Sequence, residues 1–297
     1  MAEGKKISLV LSSGGARGLA HIGVIERLEE EGFEIAAIAG SSIGAVIGAF
    51  YACGQLETYK KWVLNLDRLD LFNLFDFTIS TKGFIKGDKL FRSLEELIDD
   101  RPLERLRIPF TAIATDIVNQ KEVLFESGSM YAALRASTAI PTVIRPVVKD
   151  GIELIDGGVI NPMPMDRVKR SPGDLMVVVN INANIEYERP ALEVETQKKM
   201  DKDYTDKLNS FVKKWSSKVP TTSTSTKTLG FLELVNRSLD LMQDQLTNAK
   251  ISQHKPDLVI NFSKKACTTF EFYKAKEMIQ GGRDAFDREF EKLKKLA

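Results

Sequence analysis

The chain is short of cysteine and histidine, and those shortages close off several kinds of chemistry. Cys53 and Cys267 are too few for a disulfide framework, and neither belongs to a C-x-x-C pair or a zinc-ligand spacing. His21 and His254 are the only two histidines, which argues against a zinc enzyme. An excess of charge of one sign is also missing: 42 basic residues against 41 acidic ones leave a formal charge of +1. No global field draws such a chain to nucleic acid. The amino terminus runs from Met-Ala-Glu-Gly-Lys-Lys into the strand-like Ile7-Ser8-Leu9-Val10-Leu11 without the apolar stretch and cleavage site of a secretory signal, so the expected compartment is the cytoplasm.

What is present is ordinary in bulk and informative in its order. At 297 residues, with 43% hydrophobic and 28% charged residues, the chain can bury one large α/β core. "KISLVL" reads as a buried strand and "SSGGARG" as a tight loop, and Leu19, Ile22, Ile25 and Leu28 stripe the helix that follows. "EIAAIAG" is the next strand. Further strand candidates are "IPFTAIAT", "EVLFE", "GIELID", "DLMVVVNI" and "PDLVINF", with helix-like text around "YAALRAS" and from Phe270 to the end. This alternation predicts a mainly parallel sheet covered by helices. A single domain over 1–297 is expected, with a polar insertion at about 184–230 that ends in the low-complexity "TTSTSTKT".

One stretch admits two readings. From Ile35 to Leu56 no side chain is charged, and Gly40, Gly44 and Gly48 recur at intervals of four, as on the packing faces of membrane helices. The same letters contain G-S-S-I-G, in which Gly40, Ser42 and Gly44 frame a serine on a sharp strand-to-helix turn. Acidic Glu34 and Glu57 flank the run where a membrane helix would carry a Lys/Arg cluster on one side, which favours the turn. Close packing of a buried strand and helix explains the glycines equally well.

A second feature tips the balance toward chemistry. The loop Gly14-Gly15-Ala16-Arg17-Gly18 lies directly after the first strand and before a helix, where backbone N–H groups can meet a negative oxygen. It lacks the G-x-G-x-x-G spacing of dinucleotide binders, and no P-loop motif occurs in the chain. Asp156-Gly157-Gly158 closes the strand-like "GIELI" and can project a carboxylate from a strand end, although D-G-G is also a common turn. His254 is a rival base, since Ser42, Asp156 and His254 follow the chain order of an α/β-hydrolase triad; a loop histidine in "SQHKPD" is the competing reading. His21 reads as a packing or hydrogen-bonding residue, Arg17 as a brace for the loop or a phosphate contact, and Asp116 as a loop-fixing acid. Asn161 is a candidate to orient the carboxylate.

In this order, "SGGARG", "GSSIG" and "DGG" resemble the motifs of the patatin-like phospholipases, particularly the short bacterial forms. Supporting text includes "LAHIGVIERLEE", "ATDIVNQKEVLF", "ALRASTAIPTVIRPV" and "DGGVINPMP". The resemblance implies a three-layer α/β/α fold and ester hydrolysis by a dyad, with Ser42 as nucleophile and Asp156 as general base and acid. It further implies an oxyanion hole in the Gly14, Gly15, Ala16, Arg17, Gly18 loop, through the amides of Gly15 and Ala16. It implies no metal and no cofactor, and a lipid or other ester as substrate. The chain departs from the family pattern at Ser13, where a third glycine is usual. A catalytically idle lipid- or protein-binding member of the same fold is the alternative. Tyr204, Leu208, Phe211, Val212, Trp215 and Val219 fall on one helical face with lysines between them, a candidate for peripheral membrane contact; packing on the protein's own core competes with it.

Overall fold

Successive residues of the first strand, β1 (Lys6–Leu11), face two different cores. Ile7, Leu9 and Leu11 join one apolar cluster and Val10 the other, as the two-residue period of a strand buried on both faces requires. The computed structural model describes residues 4–75, 87–141, 143–149, 151–191 and 231–296. A short 3-10 turn (Gly15–Leu19) leads into α1 (Ala20–Glu30), followed by β2 (Glu34–Ser41) and α2 (Ile43–Ala52). Three short helices come next, α3 (Leu56–Leu64), α4 (Arg68–Leu74) and α5 (Asp88–Leu97). Then follow β3 (Phe110–Asp116), β4 (Lys121–Phe125), α6 (Met130–Ser137), β5 (Val147–Lys149) and β6 (Ile152–Asp156). The last elements are β7 (Leu175–Ala183), α7 (Phe231–His254), β8 (Leu258–Ser263) and α8 (Ala275–Leu296).

The strands form one sheet in the order β5-β6-β3-β2-β1-β7-β8, with β4 beside β3. β3, β2, β1, β7 and β8 run parallel, and β4, β5 and β6 pair antiparallel. On one face, the 3-10 turn with α1, α2 and α8 buries Leu19, Ile22, Ile25, Leu28, Ile47, Phe50 and Phe286 against the odd-numbered side chains of β1. On the other, Val10, Ala37, Ala39 and Val178 meet Met163, Met165 and Ile251 of α7. The fold is thus a mainly parallel α/β sheet with helical cover on both sides.

The uncharged run divides between β2 and α2, not a membrane span. Every residue of α2 from Ile43 to Phe50 is buried, so the helix needs no polar face. A Cβ on Gly44 would lie 2.2 Å from the Leu11 carbonyl oxygen, and one on Gly40 would lie 2.4 Å from that of Gly44. The glycine spacing therefore lets α2 lie directly on the sheet. Among the described residues no helix is long and apolar enough to cross a membrane.

Where the chain carries helices that the pattern did not announce, the reason is local. α3 to α5 span seven to ten residues each, too short for a period to stand out. α7 leaves Leu234, Leu241 and Met242 exposed, which blurs its stripe. Within the expected insertion, residues 184–191 lie along α8, where the Tyr187 hydroxyl and the Arg189 guanidinium both donate to Glu277. The remainder, including residues 204–219, for which a helical face was expected, lies outside the described residues.

Candidate active site

One edge of β3 explains how two distant motifs meet. β2 pairs with β3 from Phe110 to Ile113, and β6 pairs with it from Ala114 to Asp116, while β4 occupies the opposite edge from Ala112 to Asp116 and so overlaps both. β2 and β6 therefore share the edge head to head. Ser41 ends one strand opposite Ile113 and Asp156 ends the other opposite Ala114, one residue along. Residues 114 positions apart in sequence are neighbours for that reason.

At the junction the Ser42 hydroxyl donates to Asp156 Oδ2 at 2.5 Å, and both residues are buried. Ser42 caps α2 with φ 54° and ψ −124°, a left-handed conformation rare outside glycine that costs about 1–3 kcal/mol. Its N–H donates to Ser137 Oγ at 3.0 Å, a brace from the end of α6. Asp156 is pinned on every side. Its N–H donates to the Ala139 carbonyl, its carbonyl accepts from Thr115 Oγ1, and its Oδ1 accepts from the Gly158 N–H at 2.7 Å. Burial pushes the Asp156 pKa up to about 6, against the opposing hydrogen bonds from Ser42 and Gly158.

The glycine loop lies beside Ser42. Ser12 and Ser13 donate their N–H groups to the Val179 and Pro162 carbonyls, so the loop hangs from the sheet. Gly14 at φ 152° and Gly15 at φ 60° make the turn, and a Cβ on Gly15 would lie 2.6 Å from the Thr269 side chain. The Ala16 N–H donates to the Thr269 carbonyl oxygen at 2.9 Å. The Ala16 amide is thus engaged by a neighbouring segment, whereas Gly14 and Gly15 donate to no described residue. Arg17 braces the loop, donating to the Cys267 carbonyl and to Asn182 Oδ1, and Gly18 lies against Ile43 of α2.

The other candidates fall elsewhere. His254 ends α7 and is absent from the hydrogen bonds and cavities around Ser42, while both Asp156 oxygens are already occupied. His21 is fully buried with Nε2 at 3.0 Å from the Ser12 carbonyl, and burial lowers its pKa to about 4. A neutral ring there supports the loop from beneath. Asp116 accepts from Val118, from the Asn119 N–H and from Asn119 Nδ2, and so fixes its own turn. The Asn161 side chain donates to Glu122 and Asp166, away from the carboxylate, while its N–H holds the Gly157 carbonyl.

Two cavities meet at Ser42, Gly15, Thr269 and Phe270. One, of about 700 Å³ including its mouth, is walled by α2 to α5 with apolar groups such as Val46, Tyr59, Val63, Leu71 and Leu94. The other, of about 810 Å³ including its mouth, mixes polar and apolar groups and is bounded by the glycine loop, Asp156, Val143, Val159 and the α7 residues Leu239, Asp240 and Gln243. Sequence reasoning missed Ser137, the Thr269–Phe270 segment and the whole apolar cavity. Only the text "ALRAST" carried any mark of Ser137, through the family resemblance.

A mainly parallel α/β sheet with a serine at a strand-to-helix turn and a buried aspartate against it defines the class of protein. A family model of patatin-like phospholipases matches residues 9–169. An uncharacterized NTE family protein of Mycobacterium tuberculosis is 30% identical over 321 residues, covering 94% of this chain and 89% of that one. The chain belongs to the patatin-like phospholipase family. Human patatin-like phospholipase domain-containing protein 6 is 31% identical over 190 residues, 62% of this chain and 14% of that protein. Lysophospholipase nte1 of Aspergillus fumigatus is 32% identical over 185 residues, 61% of this chain and 12% of that protein. Among solved structures, VipD from Legionella pneumophila aligns with 99% of this chain and 67% of its own at a TM-score of 0.47 and 14% identity.

Proposed function

We propose that the chain is a serine lipid acyl hydrolase that cleaves carboxylic esters through Ser42 and Asp156. The 2.5 Å contact between the Ser42 hydroxyl and Asp156 Oδ2 carries this reading. As Ser42 Oγ attacks the ester carbonyl carbon, its proton passes to Asp156, and the carbonyl electron pair moves onto oxygen. The Gly14 and Gly15 N–H groups, with no other described acceptor, are the donors we assign to that oxyanion. Collapse of the intermediate expels the alcohol, which takes the proton from Asp156. Water then gives a proton to Asp156 and attacks the acyl-serine; Ser42 leaves with that proton and the fatty acid departs.

The two cavities support an amphiphilic substrate, with an acyl chain in the apolar one and a polar alcohol in the other. The apolar cavity at Ser42 favours a monoacyl lipid, in line with the name lysophospholipase borne by the Aspergillus relative. Fluorophosphonate labelling and ester hydrolysis test the dyad. Both are expected to be lost in Ser42→Ala, and hydrolysis in Asp156→Asn, while His254→Ala retains most turnover. An active Ser42→Ala variant, or a His254→Ala variant as inactive as it, would overturn the reading. Residues 204–219, with their apolar and lysine side chains, are our proposed contact with lipid surfaces. A Phe211→Ala, Trp215→Ala double variant is expected to lose hydrolysis of anionic vesicles and keep that of a short soluble ester; equal loss on both would reject the contact.

A further inference from the structure

Beside the dyad lies a hydroxyl that neither the fold nor the attack by Ser42 uses. Ser13 follows β1 on a loop whose backbone is engaged on both sides: its N–H donates to the Pro162 carbonyl at 2.9 Å, and its carbonyl accepts from Asn182 Nδ2 at 2.6 Å. The residue is 2% exposed, yet its Oγ has no hydrogen-bond partner among the described residues. A buried hydroxyl left unpaired costs stability, and an alanine would take nearly the same space without that cost. The family pattern has glycine at this position, so the hydroxyl is a feature of this chain.

Its neighbours show what it faces. Ser13, Asp156 and Gln243 line one cavity together with Ser42. A Cβ on Gly158 would lie 2.9 Å from Ser13 Oγ, 3.0 Å from Asp156 Oδ1 and 3.0 Å from Gln243 Nε2. The three polar atoms thus ring the space in front of the Gly158 Cα, which a side chain at that position would take. Each has hydrogen-bonding capacity left. Among the described residues Asp156 Oδ1 accepts from the Gly158 N–H, Gln243 Nε2 gives one of its two N–H groups to the Gly158 carbonyl, and Ser13 Oγ is unengaged. An acceptor, a donor and a hydroxyl that is both match the hydrogen-bonding pattern of water, which is held in protein interiors by several polar partners at once.

We propose that Ser13 holds the water that hydrolyses the acyl-enzyme, placing it between its own Oγ, Asp156 and Gln243. The inference rests on the serine hydrolase reading above and concerns the second half of that reaction. The water gives one proton to the Asp156 carboxylate as its oxygen bonds to the acyl carbon and the carbonyl electron pair moves onto oxygen. Its other O–H donates to Ser13 Oγ, and the Gln243 N–H donates to its spare lone pair. When the electron pair returns, the bond to Ser42 Oγ breaks and Ser42 takes the proton from Asp156. The first half, in which Ser42 itself gives up the proton, makes no use of the Ser13 hydroxyl.

Ser13→Ala separates the two halves, because the backbone contacts of the loop survive it. In single-turnover mixing with a 4-nitrophenyl ester, release of nitrophenol reports acylation, and intact mass after acid quenching follows the acyl group on Ser42. Acylation is expected at the wild-type rate and loss of the acyl group about tenfold slower, so that acyl-enzyme accumulates. Ser13→Gly is expected to do the same. Thermal melts should show Ser13→Ala at least as stable as wild type, since no hydrogen bond is lost. Acyl loss at the wild-type rate in both variants overturns the proposal. So does equal slowing of the two steps, which would make the hydroxyl part of the oxyanion loop, and so does a lowered melting temperature with the two steps in their wild-type proportion. Nitrophenol release and an acyl mass shift in wild type, both absent in Ser42→Ala, keep the hydrolase reading whatever Ser13 does. A wild type that gives neither overturns both.

Discussion

Burying Asp156 beside Ser42 costs stability and supplies basicity through the same physical effect. Loss of hydration disfavours the charged carboxylate and raises its pKa to about 6, which makes it a stronger proton acceptor than an ordinary aspartate. The ionised form is the base, so kcat/KM is expected to rise with pH and level off above about 6, as read from a pH–rate profile with a soluble ester. Stability moves the other way. Because the folded protein binds this proton more tightly than the unfolded chain, the contribution is fully present below about pH 4 and is lost as the pH rises through about 6. Asp156→Asn removes the titration, and its shape fits the same hydrogen bonds to Ser42 and Gly158. The variant is therefore expected to gain stability over wild type as the pH rises from about 4 to 6, at about 1.4 kcal/mol per pH unit at most. Thermal melts across that range check it. A stability difference independent of pH would mean that Asp156 does not titrate there.

At the scale of elements, the site consists of strand ends and the loops that leave them. β1, β2, the glycine loop and the tip of β6 were legible in the sequence because each joins a short apolar run to a glycine turn. What was not legible is the pairing that makes them converge. β2 and β6 meet along one edge of β3, and nothing local in "EIAAIAG" or "GIELID" specifies that register. The same limit explains Ala16. Local sequence placed its amide in a loop fit for an anion, but the Thr269 carbonyl, some 250 residues away, takes the hydrogen bond. This packing gives the loop a strict size requirement at Gly15. Valine there would place its Cβ within 2.6–2.9 Å of Thr269, at a positive φ that β-branched residues rarely adopt. Gly15→Val is expected to lower kcat on the order of hundredfold with little change in KM, since the displaced amides serve charge that exists only in the transition state. Steady-state kinetics on a soluble ester decide this. A raised KM with unchanged kcat would assign the loop to substrate binding.

Across the whole molecule, the chemistry and the shape of the site come from different parts of the chain. Ser42, Asp156 and the glycine loop lie at the ends of sheet strands, but the apolar cavity is walled by α3, α4 and α5, which fall between β2 and β3 in the chain, and by Phe270 and Phe272 from near the other end. Phe75 at the end of α4 packs against both of those rings, with centroids 5.6 Å and 5.8 Å away, and joins the two contributions. A wall assembled from segments this far apart leaves no motif in the sequence, which is why Ser42 was readable as a candidate nucleophile and the cavity beside it was not. Val46 tests the cavity's role. It lies one helical turn after Ser42 on α2, buried in the core and lining the cavity, so a larger side chain there takes up cavity volume without replacing Ser42 or Asp156. Val46→Phe is expected to lower kcat/KM for a long-chain ester about tenfold or more relative to a short-chain ester of the same alcohol, because only the long chain needs the filled volume. Comparing 4-nitrophenyl butyrate with 4-nitrophenyl palmitate measures that ratio. Equal loss on both esters would place the acyl chain outside this cavity and turn the search to the surface around Phe270.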